Sequence, residues 1–147
     1  MNKRKTIIII GFVTMILIII VVCYIYFIKT SKMSCRSDVQ DNFRTSKNEF
    51  VIKYRKNKVV SVKEVSEHTF KNKQTMDIYK EFLDKSYNDL KDNKYIDMKR
   101  DIKDLNYTIV IDVKVNKLNN NKLASLELTK DLKELKQTLS RNKFSCE

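Results

Sequence analysis

Hydrophobic and polar positions change their period several times along the chain, and each change marks a predicted element. In "NEFVIKYRKNKVVSVKEVSEHTF" the period is two: Phe50, Ile52 and Tyr54 point one way, and Val60 and Val62 continue the pattern after the polar "RKNK". Two β-rich runs parted by a short polar break read as a hairpin. Asn57 is the expected left-handed residue of its turn, since the chain has no glycine to place there.

"TMDIYKEFLDKSYNDLKDN" then takes the helical period. Tyr79, Phe82, Leu83, Tyr87 and Leu90 fall on one apolar stripe, with Thr75 as the expected N-cap and Asn93 as the stop. "YIDMKRDI" and "NYTIVIDVKVNKL" return to strand pattern, with "KRDIKD" expected to hold the turn between them. Tyr107, Ile109, Ile111, Val113 and Val115 line one face, and Asp112 and Lys114 the other, as in an antiparallel sheet with one wet side. A last helix follows in "LTKDLKELKQTLSRNKF", capped by Thr129 and burying Leu132, Leu135 and Leu139. The expected fold of residues 49–147 is thus α+β, a two-layer ββαββα domain with an antiparallel sheet.

Before it, Thr6–Ile28 carries no charge and consists mostly of Ile, Val, Leu, Met and aromatic residues. As one α-helix this run would measure about 35 Å, against a hydrocarbon core of about 30 Å. A cleaved signal is the rival reading, but its apolar region would be shorter and would end in small residues, and this run contains no Ala. The expectation is an N-terminal transmembrane helix: residues 1–5 inside, 6–28 spanning, and 29–48 a juxtamembrane linker. Tyr24, Tyr26 and Phe27 fit an interfacial belt. Lys3, Arg4 and Lys5 on one flank are nearly balanced by Lys29, Lys32 and Arg36 on the other, so charge alone does not orient the span.

The cysteines bear on orientation. Cys23 lies within the apolar run, while Cys35 and Cys146 bracket the domain, and neither sits in an apolar stripe. A bond between them would close a loop near a hundred residues long, worth about 4–5 kcal/mol by loss of chain entropy. It would also place the domain in an oxidising compartment, N-terminus inside and C-terminal domain outside the cell membrane.

The layout of "MSCRSD", a hairpin, a helix, "YTIVIDVKV" and "TKDLKELKQTLSRNKFSCE" resembles uncharacterised membrane-anchored proteins of low-GC Gram-positive bacteria. These in turn are similar to the small YehR-type lipoproteins. The chain has no lipobox, so the resemblance does not extend to lipid attachment. It implies an extracytoplasmic domain with no established activity.

Composition narrows the chemistry. With 30 basic and 18 acidic residues the net charge is +12. Lysines alternate with acids in "KDLKELK" and "KRDIKD", which is the pattern of a solvated surface. The nearest approach to a basic ribbon is Lys53, Tyr54, Arg55, Lys56 and Lys58 on the first hairpin, the candidate site for an anionic ligand. The one histidine, His68, stands beside Glu67, but successive strand residues face opposite ways, so the two do not converge as an acid–base pair. His68 is expected at the surface or an edge. No metal-ligand spacing and no catalytic motif occurs, and the single Gly11 cannot build a phosphate loop, so neither metal nor cofactor is expected. The resulting expectation is a non-catalytic, membrane-anchored extracytoplasmic domain that binds a partner protein or an anionic envelope polymer or lipid. The alternatives are a cytoplasm-facing, membrane-tethered nucleic-acid binder and a surface hydrolase using His68.

Overall fold

A computed structural model describes residues 3–90 and 92–147. The chain divides into two compact units, 1–31 and 32–147. In the first, α1 (Lys3–Cys23) is followed by a π-helical turn, Tyr24–Ile28. Among the described residues no helix is long and apolar enough to cross a membrane. That finding corrects the expectation of a transmembrane helix over 6–28, and with it the single-pass placement at the cell membrane. The apolar run is not one continuous α-helix, because regular α-helical bonding stops at Cys23. Of the apolar run, Thr6–Cys23 lies in α1 and the remainder in the π-helical turn. Of the expected segment 1–5, Met1 and Asn2 lie outside the described residues.

The second unit is α+β and has more strands than the period of two alone suggests. Its strands are β1 (Ser31–Gln40), β2 (Arg44–Arg55), β3 (Lys58–Phe70), β4 (Ile96–Lys103), β5 (Asn106–Val113) and the short β6 (Ser145–Cys146). They form one six-stranded sheet in the order β4-β5-β3-β2-β1-β6. The pairs β1–β6, β2–β3, β3–β5 and β4–β5 are all antiparallel. Residues 29–48 therefore hold β1 and the start of β2 instead of a linker. The signal was weak because the inward residues of β1 are Met33, Cys35 and Ser37, two of them small, so no apolar alternation shows.

Three helices accompany the sheet: α2 (Lys73–Ser86), the short α3 (Asn120–Ser125) and α4 (Leu132–Arg141). Caps fall slightly outside the expected positions. Asn72 Oδ1 accepts from Thr75 N at 2.9 Å, so Asn72 caps α2 and Thr75 lies inside it. Asp131 Oδ1 accepts from Lys133 N at 3.0 Å and Glu134 N at 3.2 Å, while Thr129 Oγ1 donates to Glu134 Oε2 at 2.7 Å. Each such cap satisfies first-turn N–H groups and is worth about 1 kcal/mol. The stripe Leu132, Leu135 and Leu139 is buried as expected, as are Tyr107, Ile109, Ile111, Val113 and Val115. On α2 the apolar stripe is narrower: Leu83 is buried, but Phe82 is 63% exposed beside Ile78 at 64%. A residue one step from Leu83 is rotated about 100° around the helix, which takes Phe82 off the core face.

Lacking glycine in this unit, the chain fills left-handed positions with larger residues: Lys56, Asp104, Glu127 and Lys143 have φ of 53°, 54°, 54° and 64°. In the β2–β3 turn it is Lys56, not Asn57, that adopts this conformation. The β4–β5 turn is Asp104–Leu105, since "KRDIK" continues the strand. Glu127 and Lys143 end α3 and α4 in the same way. Glu127 N donates to Ala124 O and Leu128 N to Leu123 O; Lys143 N donates to Ser140 O and Phe144 N to Leu139 O. These are Schellman closures, in which the following apolar residue folds back on the helix.

Candidate functional site

Cys35 and Cys146 form the expected disulfide, with an S–S distance of 2.02 Å. The two residues face each other across the β1–β6 pair, and Ser34 and Glu147 exchange backbone bonds of 3.0 and 2.8 Å beside them. Cys35 is fully buried and belongs to the core. Cys23 is a free, exposed thiol.

The hairpin residues singled out for anion binding gather at one end of the sheet. Lys53, Arg55, Lys56 and Lys58 are exposed, while Tyr54 is half-buried and packs against the core. Backbone bonds from Val59 N to Lys130 O (2.9 Å) and from Leu132 N to Asn57 O (3.0 Å) tie this end to the start of α4. That junction brings Lys130 and Lys133 to the same end of the sheet. Its charge is offset by Asp131, whose carboxylate lies 3.8 Å from Lys58 Nζ, and by Glu134. An exposed pair at that distance contributes at most about 1 kcal/mol and leaves the local field positive. The β2–β3 register shifts between Lys53 and Tyr54, so that Val59 takes the buried position and Val60 is only half-buried.

His68 is not at the surface: it is 6% exposed and shares the core face with Val62 and Phe70. Its parity with those residues was visible in the strand pattern and was the signal for burial. Glu67 faces outward, as the alternation required. The imidazole bridges two elements. Nδ1 lies 2.8 Å from Ser46 Oγ on β2, and Nε2 lies 3.2 Å from the Tyr79 hydroxyl on α2. The Arg44 guanidinium stacks 4.1 Å over the Tyr79 ring. Burial, and after it the nearby Arg44 charge, lowers the His68 pKa to about 4. A serine beside an imidazole is the layout of an activated nucleophile, yet Ser46 is buried, 3% exposed. The cluster joins β2, β3 and α2.

A cavity of about 380 Å³ opens on the same face of the sheet, under the 125–128 segment and α4. Val62, Ile111 and Val113 form its floor, and Phe50 meets Phe144 edge-to-face at 5.1 Å. Glu64 also lines it, accepting a 3.0 Å hydrogen bond from Ser66 Oγ. Burial raises the Glu64 pKa above the usual carboxylate range, with the Ser66 bond opposing that rise. Among the described residues no group of His, Cys, Asp and Glu is arranged to hold a metal ion.

No protein-family model matches the chain, and no curated protein sequence matches it. Among solved structures it is similar to the NMR structure of a protein from Streptococcus pneumoniae TIGR4. The TM-score is 0.53 at 12% identity, covering 81% of this chain and 86% of that one. At that identity the likeness concerns the fold alone.

Proposed function

We propose that the domain is a non-catalytic binding module whose hairpin end holds an anionic polymer. One observation carries this reading. The β2–β3 turn and the start of α4 pool cations from two distant stretches of sequence, Lys53–Lys58 and Lys130–Lys133, through a pair of backbone bonds. Flexible polyanions bind such clusters through release of their counterions, without needing a shaped pocket. The Cys35–Cys146 bond supports a working place where thiols oxidise.

Long-chain polyphosphate is a suitable probe for the full chain. With about four phosphates engaged, log affinity should fall against log salt with a slope of about −3, scaled from single-stranded nucleic acids. Reversing two charges in the double variant Lys53→Glu/Arg55→Glu should flatten that slope by about 1.4. Binding indifferent to salt, or unchanged in the variant, would sink the proposal. Tighter binding of single-stranded DNA than of polyphosphate would favour a nucleic-acid partner instead.

A further inference from the structure

We infer that the cavity beneath α4 is a second binding site, for a small organic ammonium ion with an apolar body. The argument begins with charge. The chain carries 30 basic residues against 18 acidic ones, yet among the described residues the charged ones lining this cavity are Glu64 and Glu127, with no Lys or Arg beside them. A lining drawn at random from this chain would favour lysine. Two acidic residues with no cation among the described lining disfavour an anion and favour a cation.

Shape sets the rest of the ligand. The walls are mainly aliphatic and aromatic, with Leu126, Leu128 and Leu139 facing the sheet floor and the Phe50–Phe144 pair closing one side. A volume of about 380 Å³ is near the lower end of small-molecule sites, so it fits one ring or a short alkyl chain and not a lipid tail. Glu64 stands on β3 among this apolar surface, with Ser66 Oγ as a donor to Oε1. Burying a carboxylate in such surroundings is costly without a compensating donor. An ammonium group supplies up to three N–H donors and the opposite charge at the place where both are needed. Thr138 and Asn142 add polar atoms to the lining. The site is distinct from the hairpin end, whose ligand carries the opposite charge.

The test compares 2-phenylethylammonium with its neutral near-isostere 2-phenylethanol by calorimetry on the full chain. A charge-assisted hydrogen bond to Glu64 should make the ammonium bind at least about tenfold more tightly than the alcohol. Glu64→Gln, nearly the same in shape, should erase that preference for the ammonium over the alcohol. The proposal is overturned if the alcohol equals the ammonium in the unaltered chain, or if Glu64→Gln keeps the preference. It is equally overturned if neither compound binds up to about 10 mM, the limit of weak specific association. Because the first comparison needs no variant, a misfolded Glu64→Gln would not leave the question open.

Discussion

Opening the Cys35–Cys146 bond should cost more stability than any other single change that spares the core. The bond spans a sequence separation of 111, nearly the whole of the second unit. In the chain-entropy account a closed loop of that length restricts the unfolded state by about 16 cal/mol/K, or about 5 kcal/mol at 25 °C. Stability of a domain this size is about 5–15 kcal/mol, so the loss is a large share of the whole. Cys146→Ser is the perturbation of choice, because it leaves the Cys35 thiol in place as a small buried apolar group. With a guanidinium slope of about 4 kcal/mol per molar, the unfolding midpoint should fall by about 1.2 M. The slope itself should steepen, since the uncrosslinked unfolded chain exposes more surface. A midpoint shift below about 0.3 M with an unchanged slope would refute the entropic reasoning. It would mean that the unfolded chain is held together by something other than this bond.

Because the chain has one histidine, its imidazole gives a single Cε1–H resonance, which should titrate near 4 and not near 6.5. The sign follows from linkage: between pH about 6.5 and 4 the unfolded state binds the proton that folded His68 refuses, so stability falls as pH falls through that window, by up to about 3 kcal/mol. Glu64, raised in the folded state, works the other way and loses stability as pH rises through its folded pKa. An imidazole midpoint close to 6.5 would show that Ser46, Tyr79 and Arg44 do not enclose it. At the end of α4, Lys143→Gly should raise stability by about 1 kcal/mol by removing the left-handed penalty of a side chain. Thermal unfolding would check this, and a loss of stability would mean that Lys143 makes a contact worth more than its backbone strain.

Where burial follows a strong apolar period, the sequence alone was enough to place the element. The inward face of β5 and the leucine stripe of α4 are each read directly from spacing, and the bracketing cysteines announced their own bond. Elements without that period were hidden. β1 buries Met33, Cys35 and Ser37, a mixture that looks like linker, and α3 is too short at Asn120–Ser125 for a helical repeat to register. The apolar run near the start misled for the opposite reason: hydropathy measures composition, whereas the break at Cys23 is a matter of backbone hydrogen bonding. The hairpin cations were legible one stretch at a time, but their meeting with Lys130 and Lys133 depends on a long-range junction that no local pattern encodes. Glu64 was invisible for a similar reason. In a strand, its parity marks the inward face, but only the tertiary arrangement shows that an open cavity lies above it.

The covalent tie between neighbouring strands at the sheet's edge has a mechanical consequence. A pull applied between Lys32 and Glu147 meets the Cys35–Cys146 bond after straightening only a few residues. Tension then passes from one end to the other through two sulfur atoms, and the chain between Arg36 and Ser145 carries no load. Under force the domain acts as a short inextensible link, and its hairpin and cavity keep their shape while whatever is attached at either end is stretched.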